Sequence, residues 1–136
     1  MNTSETTFGL QVLMQGQFDT AFGRVTTALK AAGFEIAAQA DLATLLAKKI
    51  DRRVGAFKVL VVFEADLVHR AMVIAPEASL LLLCNVAVTQ AEEGDIEVRI
   101  SDPLAASALA PESYLYPIAQ EQHTRLARVI DALRKE

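Results

Sequence analysis

The amino-acid sequence predicts an α+β domain in the order β-α-β-α-β-α-β-β-α, with helices packed on a mixed, mostly antiparallel sheet. Three observations carry that prediction. The apolar spacing switches repeatedly between a period of two and a period of three to four from Phe8 to Ala75. Two strand-like runs, Ser79 to Val88 and Asp95 to Ile100, flank a polar loop in the manner of a hairpin. A long amphipathic stretch from Leu115 to Leu133 closes the chain.

Residues 1–7 are polar and read as a flexible N-terminal tail before a single domain over 8–136. Phe8, Leu10, Val12 and Met14 alternate with less apolar neighbours, the pattern of a half-buried strand that Gly16 ends. Phe18, Phe22, Val25, Leu29 and Ala32 then recur at helical spacing. Asp19 stands in that helix's first turn, where its dipole favours an anion, and Gly33 suits a left-handed C-terminal cap. Phe34 to Ala38 reads as a short strand. Asp41 is a good N-cap for a second helix that carries Leu42, Leu45, Leu46, Lys49 and Ile50 on one stripe. Phe57 to Phe63 is Val-rich and nearly all apolar, an interior strand. Ala65 to Ala75 forms a third helix that stops before Pro76. A short helical turn is expected near Ala105. On the last helix, Leu115, Ile118, Gln122, Leu126, Val129 and Leu133 share one face, so Gln122 stands in an apolar stripe.

Composition bounds the function before any motif does. Of 136 residues, 52% are apolar and 22% charged, which excludes a disordered chain and is enough for one core. One cysteine excludes a disulfide scaffold and any site built from several thiolates. The net charge of −4 argues against nucleic acid or an anionic membrane as partner. The longest uncharged segment, Ala78 to Ala91, contains Asn85, Thr89 and Gln90 and falls short of the roughly 20 residues of a membrane span. A soluble cytoplasmic protein is the expectation. Nucleotide-binding glycine loops, a nucleophile elbow, H-E-x-x-H and C-x-x-C are all missing from the sequence. No cofactor, metal site or catalytic residue is assigned.

The hairpin permits a finer expectation. If Val88 faces Ile96, then Cys84 lies across from Ile100 and Asn85 across from Arg99. Cys84 then points into the core, and a slip of one residue would reverse this. Both faces of Leu80 to Cys84 and of Phe57 to Phe63 are apolar, so something should cover the sheet's second face. One of the chain's own helices or a second copy would serve, and a homodimer is the favoured reading.

Few polar residues stand out. Cys84 sits in a Leu-rich stretch, where apolar surroundings raise a thiol's pKa, so an inert core thiol is expected. A thiol-dependent enzyme or redox sensor using Cys84 is the alternative. His69 and His123 lack a ligand partner one helical turn on and read as surface histidines. Lys48, Lys49, Arg52 and Arg53 complement a helix C-terminus and have no interleaved aromatic for base stacking. Asn85 interrupts an apolar strand, and a buried amide without partners costs about 1–3 kcal/mol. Asp102-Pro103 ends the partner strand. Cys84, Asn85, Arg99 and Asp102 are the candidate binding residues; Asn85 and Asp102, within one strand end of each other, either line a small polar pocket or satisfy each other's backbone.

The run Leu80-Leu-Leu-Leu-Cys-Asn-Val-Ala-Val88, the acidic hairpin and Ser101-Asp102-Pro103 together resemble domain-of-unknown-function family 302. Phe8-Gly9, the Gly16-to-Phe34 segment and Asp41 with Thr44, Leu45 and Lys48 fit the same pattern, so the resemblance spans about residues 8 to 134. It implies a compact α+β fold that pairs as a dimer, and it implies no activity. Two positions depart from the family pattern. Leu83 stands where a proline is usual, and Phe63-Glu64-Ala65 stands where a second Cys-Asn-Pro-like triplet is expected. A site built from two Cys-Asn elements would lack half its parts here. The functional expectation is a non-catalytic, homodimeric binding or accessory module for a small ligand or a protein partner.

Overall fold

A computed structural model describes residues 5–6, 8–91, 94–106 and 113–134. Five strands, β1 (Gly9–Met14), β2 (Glu35–Asp41), β3 (Phe57–Phe63), β4 (Cys84–Gln90) and β5 (Ile96–Ser101), form one sheet in the order β1-β5-β4-β3-β2. All four pairings are antiparallel. Helix α1 (Phe18–Ala31) links the two edge strands, and the closing helix, Tyr116–Arg134, lies beside it. The α+β class and the alternation of elements are as the periodicities predict.

Local chemistry sets the helix ends. Gly33 stands at φ +95° after α1, and the Phe34 N–H returns to the Leu29 carbonyl at 3.0 Å. Asp41 caps α2 (Leu42–Ile50) by accepting from the Thr44 N–H at 3.0 Å, as expected. Glu64 does the same for α3 (Ala65–Ile74), accepting from Leu67 at 2.8 Å. β2 is longer than predicted, reaching Asp41 after a register shift between Ile36 and Ala38. Of the expected tail, Glu5 and Thr6 are described: Glu5 bridges Leu10, and Thr6 bonds Gly9. Residues 1–4 and 7 lie outside the described residues.

One face of the sheet is buried. Leu10, Val12 and Met14 of β1, Ile96, Val98 and Ile100 of β5, and Cys84, Val86 and Val88 of β4 point at α1 and the closing helix. Each Val or Leu so buried contributes roughly 1.5–3 kcal/mol. A smaller cluster of Leu67, Ala71, Ala78, Leu82 and Ile118 extends this core sideways.

Two expectations need correction. Ser79 to Leu82 is not strand but a short helix, α4, which follows a 3-10 turn at Pro76–Ala78. Leu82 is buried in the side cluster while Leu80 is exposed, so this apolar run says nothing about a second sheet face. Proline at the turn's start and the short apolar run suit either structure, and packing against α3 decided it. The hairpin register is also shifted by two residues. Val86 faces Ile100 and Val88 faces Val98, because β4 runs on through Gln90 to pair with Ile96. An even shift preserves each residue's face while changing its partner. Cys84 therefore still points inward.

The other face carries Gln11, Arg99, Ala87, Val59 and Ala40 in one cross-strand row. Its β3 end is apolar, with Val59, Val61 and Phe63 half-buried and α2 in contact with β3. Its β1–β5–β4 end is polar and open.

Candidate functional site

The four candidate residues divide between the two faces. Cys84 and Asp102 point to the helix side and are 1% and 2% exposed. Asn85 and Arg99 stand on the open side. Asn85 is thus exposed rather than buried, and Ala87, not Asn85, lies across from Arg99. The backbone N–H of Asn85 donates to the Ser101 hydroxyl at 2.8 Å, which stitches the two strand ends together.

On the helix side, α5 (Pro103–Ala106) starts directly after Asp102, in agreement with the helical turn expected near Ala105. The closing helix is α6 (Tyr116–Arg134). The Asp102 carboxylate accepts from the Leu104 N–H at 3.2 Å through one oxygen and meets Nδ1 of His123, on α6, through the other. Its own N–H donates to the Phe8 carbonyl at 3.3 Å. His123 is therefore no free surface histidine. A carboxylate on Nδ1 fixes the ring's orientation and leaves Nε2 as its second polar atom, an arrangement that suits positioning or proton transfer.

Cys84 lies in the same corner. Its thiol donates to the Ser101 carbonyl at 2.9 Å. Burial pushes the thiol up to about 12; the Ser101 hydrogen bond opposes the rise, and the nearby Asp102 charge adds to it. An activated thiol needs the reverse environment, so the geometry does not favour a Cys84 nucleophile.

Gln122, next to His123, is fully buried, and neither amide atom has a hydrogen-bond partner among the described residues. It and Asp102 are the buried polar side chains of the described chain, and both adjoin His123. Gln122 is not among the candidate residues, and its place in the apolar stripe of α6 is the sequence signal that could have found it. Nothing in the spacing of residues signalled the Asp102–His123 pair. Beyond it, Arg70 joins α3 to Glu121 of α6 at 2.8 Å and holds that carboxyl below the usual range. His69 and the basic cluster at Lys48, Lys49, Arg52 and Arg53 are exposed.

The departing triplet Phe63-Glu64-Ala65 falls beside the start of β4, since Val62 pairs with Cys84. The two motif positions thus meet at adjacent strand ends. In this chain, however, Glu64 caps α3 and faces Arg125 at 3.4 Å. Among the described residues no cluster of three or more His, Cys, Asp or Glu could hold a metal ion.

On the open side, Phe8, Gly9, Gln11, Asn85, Ala87, Arg99 and Ser101 line much of a groove of about 390 Å³. Gly9 permits β1 to approach β5 here, because a Cβ at this position would lie 1.9 Å from the Ile100 carbonyl oxygen. Phe8 is 73% exposed at the groove's edge. The Arg99 guanidinium is half-exposed and meets Glu97 at 2.8 Å.

These features define a small α+β protein with its long helices packed on one face of an antiparallel sheet and an open groove on the other. The chain belongs to the family described as "Domain of unknown function DUF302", whose profile matches residues 10–133. It is similar to a solved structure, an uncharacterized conserved DUF302 protein from Bacillus stearothermophilus, with a TM-score of 0.83 at 21% identity. That match covers 95% of this chain and 100% of the other. No curated protein matches. Among the described residues, no helix is long and apolar enough to cross a membrane.

Proposed function

We propose that this protein is a non-catalytic, homodimeric accessory module that holds a small ligand in the open groove. The observation that carries this reading is the groove's chemistry. Its lining contains a guanidinium, amides and hydroxyls but no His, Cys, Asp or Glu side chain, so it offers hydrogen bonds without a group that exchanges protons near neutral pH. Its size falls within the range of small-molecule sites.

Pairing of two copies is supported by apolar side chains left in water on two touching elements: Met72, Val73 and Ile74 of α3, and Leu80 of α4 with Leu83 just after it. Such a patch marks an interaction surface, and two-fold pairing is the commonest closed solution. Native mass spectrometry of the gently purified full chain tests both halves. A dimer carrying a dissociable small molecule is the expected result. A monomer at tens of micromolar would remove the homodimer. Absence of any bound or titratable small molecule at the groove would remove the binding role. Replacing Val73 and Leu80 together with Lys should give a folded monomer if this patch makes the contact.

A further inference from the structure

We propose that the groove takes a small organic acid, with its carboxylate on Arg99 and its apolar skeleton against the Phe8 ring. The inference rests on the groove being a binding site and adds the chemical class of its occupant.

The strand register builds the shape. On the open face Gly9, Ser101 and Asn85 form one cross-strand row, and Gln11, Arg99 and Ala87 form the next. Gly9, Ser101 and Ala87 are small and make a low floor, while Arg99 and Asn85 rise beside it. The result is a hollow in an otherwise flat surface.

The charge is single and positive. Arg99 is the only ionisable side chain among the lining residues, in a chain whose net charge is −4. Its guanidinium has five N–H donors, and Glu97 engages one amino group at 2.8 Å. The remaining donors include an edge that matches a carboxylate in a paired geometry. Gln11 on β1 and Asn85 on β4, the strands that flank β5, line the same groove with amides whose N–H groups can donate to a carboxylate oxygen.

The apolar end is equally specific. Phe8 is 73% exposed, and water-exposed aromatic surface gains when a ligand covers it. Its carbonyl is tied to the Asp102 N–H at 3.3 Å, so the ring is anchored at the groove's edge from the backbone. A ligand that covers this ring while pairing with Arg99 uses both features at once. A phosphate or other compact polyanion would use only one of them.

The test is a heteronuclear NMR titration of the full-length protein with benzoate and with benzamide, its neutral isostere. The Arg99 Nε–H, the Asn85 and Gln11 side-chain amides and the Gly9 amide are the reporters. Benzoate is expected to shift all of them and to bind about fivefold more tightly than benzamide, the scale of an exposed charge-assisted pair. Arg99→Gln should abolish that preference with the rest of the spectrum unchanged, and Phe8→Ala should weaken both probes alike. Equal affinity for the two probes would overturn the acid and leave the groove a binding site. If neither probe moves these reporters, the groove reading falls as well. Benzoate shifts confined to the exposed cations at Lys48 to Arg53 would equally overturn the proposal.

Discussion

The two faces of the sheet at the β4–β5 end form a controlled contrast, because neighbouring residues of the same strands supply both. Cys84 and Asp102 turn toward the helices, where the thiol and the carboxylate are buried and the carboxylate meets the partly exposed His123. Asn85, Arg99 and Ser101 turn away and line a wet groove. A strand rotates each successive side chain by half a turn. Four residues that look like one site in the sequence are therefore placed on opposite faces of the sheet. The buried side holds reactive group types in surroundings that hold them in place, and the open side holds unreactive group types within reach of a ligand.

Several measurements would break or sharpen this contrast, and the largest effect belongs to the buried side. Asp102→Ala should cost roughly 3 kcal/mol in urea unfolding, because it leaves His123 Nδ1 and the Leu104 N–H without their acceptor. A loss below that of an exposed control such as Asn85→Ala would mean that the corner is not sealed.

Alkaline pH should act next. The Cys84 thiol stays protonated in the fold until about 12, whereas in the unfolded chain it ionises near its ordinary value of 9.0. Above that value the unfolded state gains by losing the proton while the folded state does not. The thiol's contribution is thus complete below pH 9.0 and falls as pH rises toward about 12, at up to about 1.4 kcal/mol per pH unit. Thermal melts from pH 8 to 11 on the wild type and Cys84→Ala isolate it: the slope should be steeper in the wild type. The same burial predicts that iodoacetamide will modify Cys84 only after denaturant is added, and prompt labelling at neutral pH would contradict it.

Gln122→Met should change stability by about 1 kcal/mol in the stabilising direction, since it replaces a buried amide that has no partner among the described residues by an apolar chain of similar shape. A comparable destabilisation would reveal a bound water or ligand on that amide. The smallest effect is expected on the open face. Asn85→Ala should change the unfolding free energy by no more than about 0.5 kcal/mol, because its side chain is exposed and the Ser101 contact uses its backbone.

Periodicity settled the order of the main elements and which way the side chains of β4 and β5 face. Alternation in β5 and β4 placed Cys84 inward even though the expected pairing was two residues off, because side-chain direction depends on parity and the partner depends on where the turn closes. The N-cap at Asp41 and the left-handed Gly33 were legible because they are local chemistry, complete within four residues. Leu80 to Leu82 was not legible: three consecutive leucines have no period, and contact with α3 made them helical. Asp102 and His123 lie on different elements, and whether they meet depends on how α6 crosses the end of β5. The order of elements, the caps and the inward set of residues were thus determined by short-range steric and hydrophobic rules written along the chain. The meeting of Asp102 with His123 and the hollow between Phe8 and Arg99 were decided by packing, which brings together groups that no local rule relates.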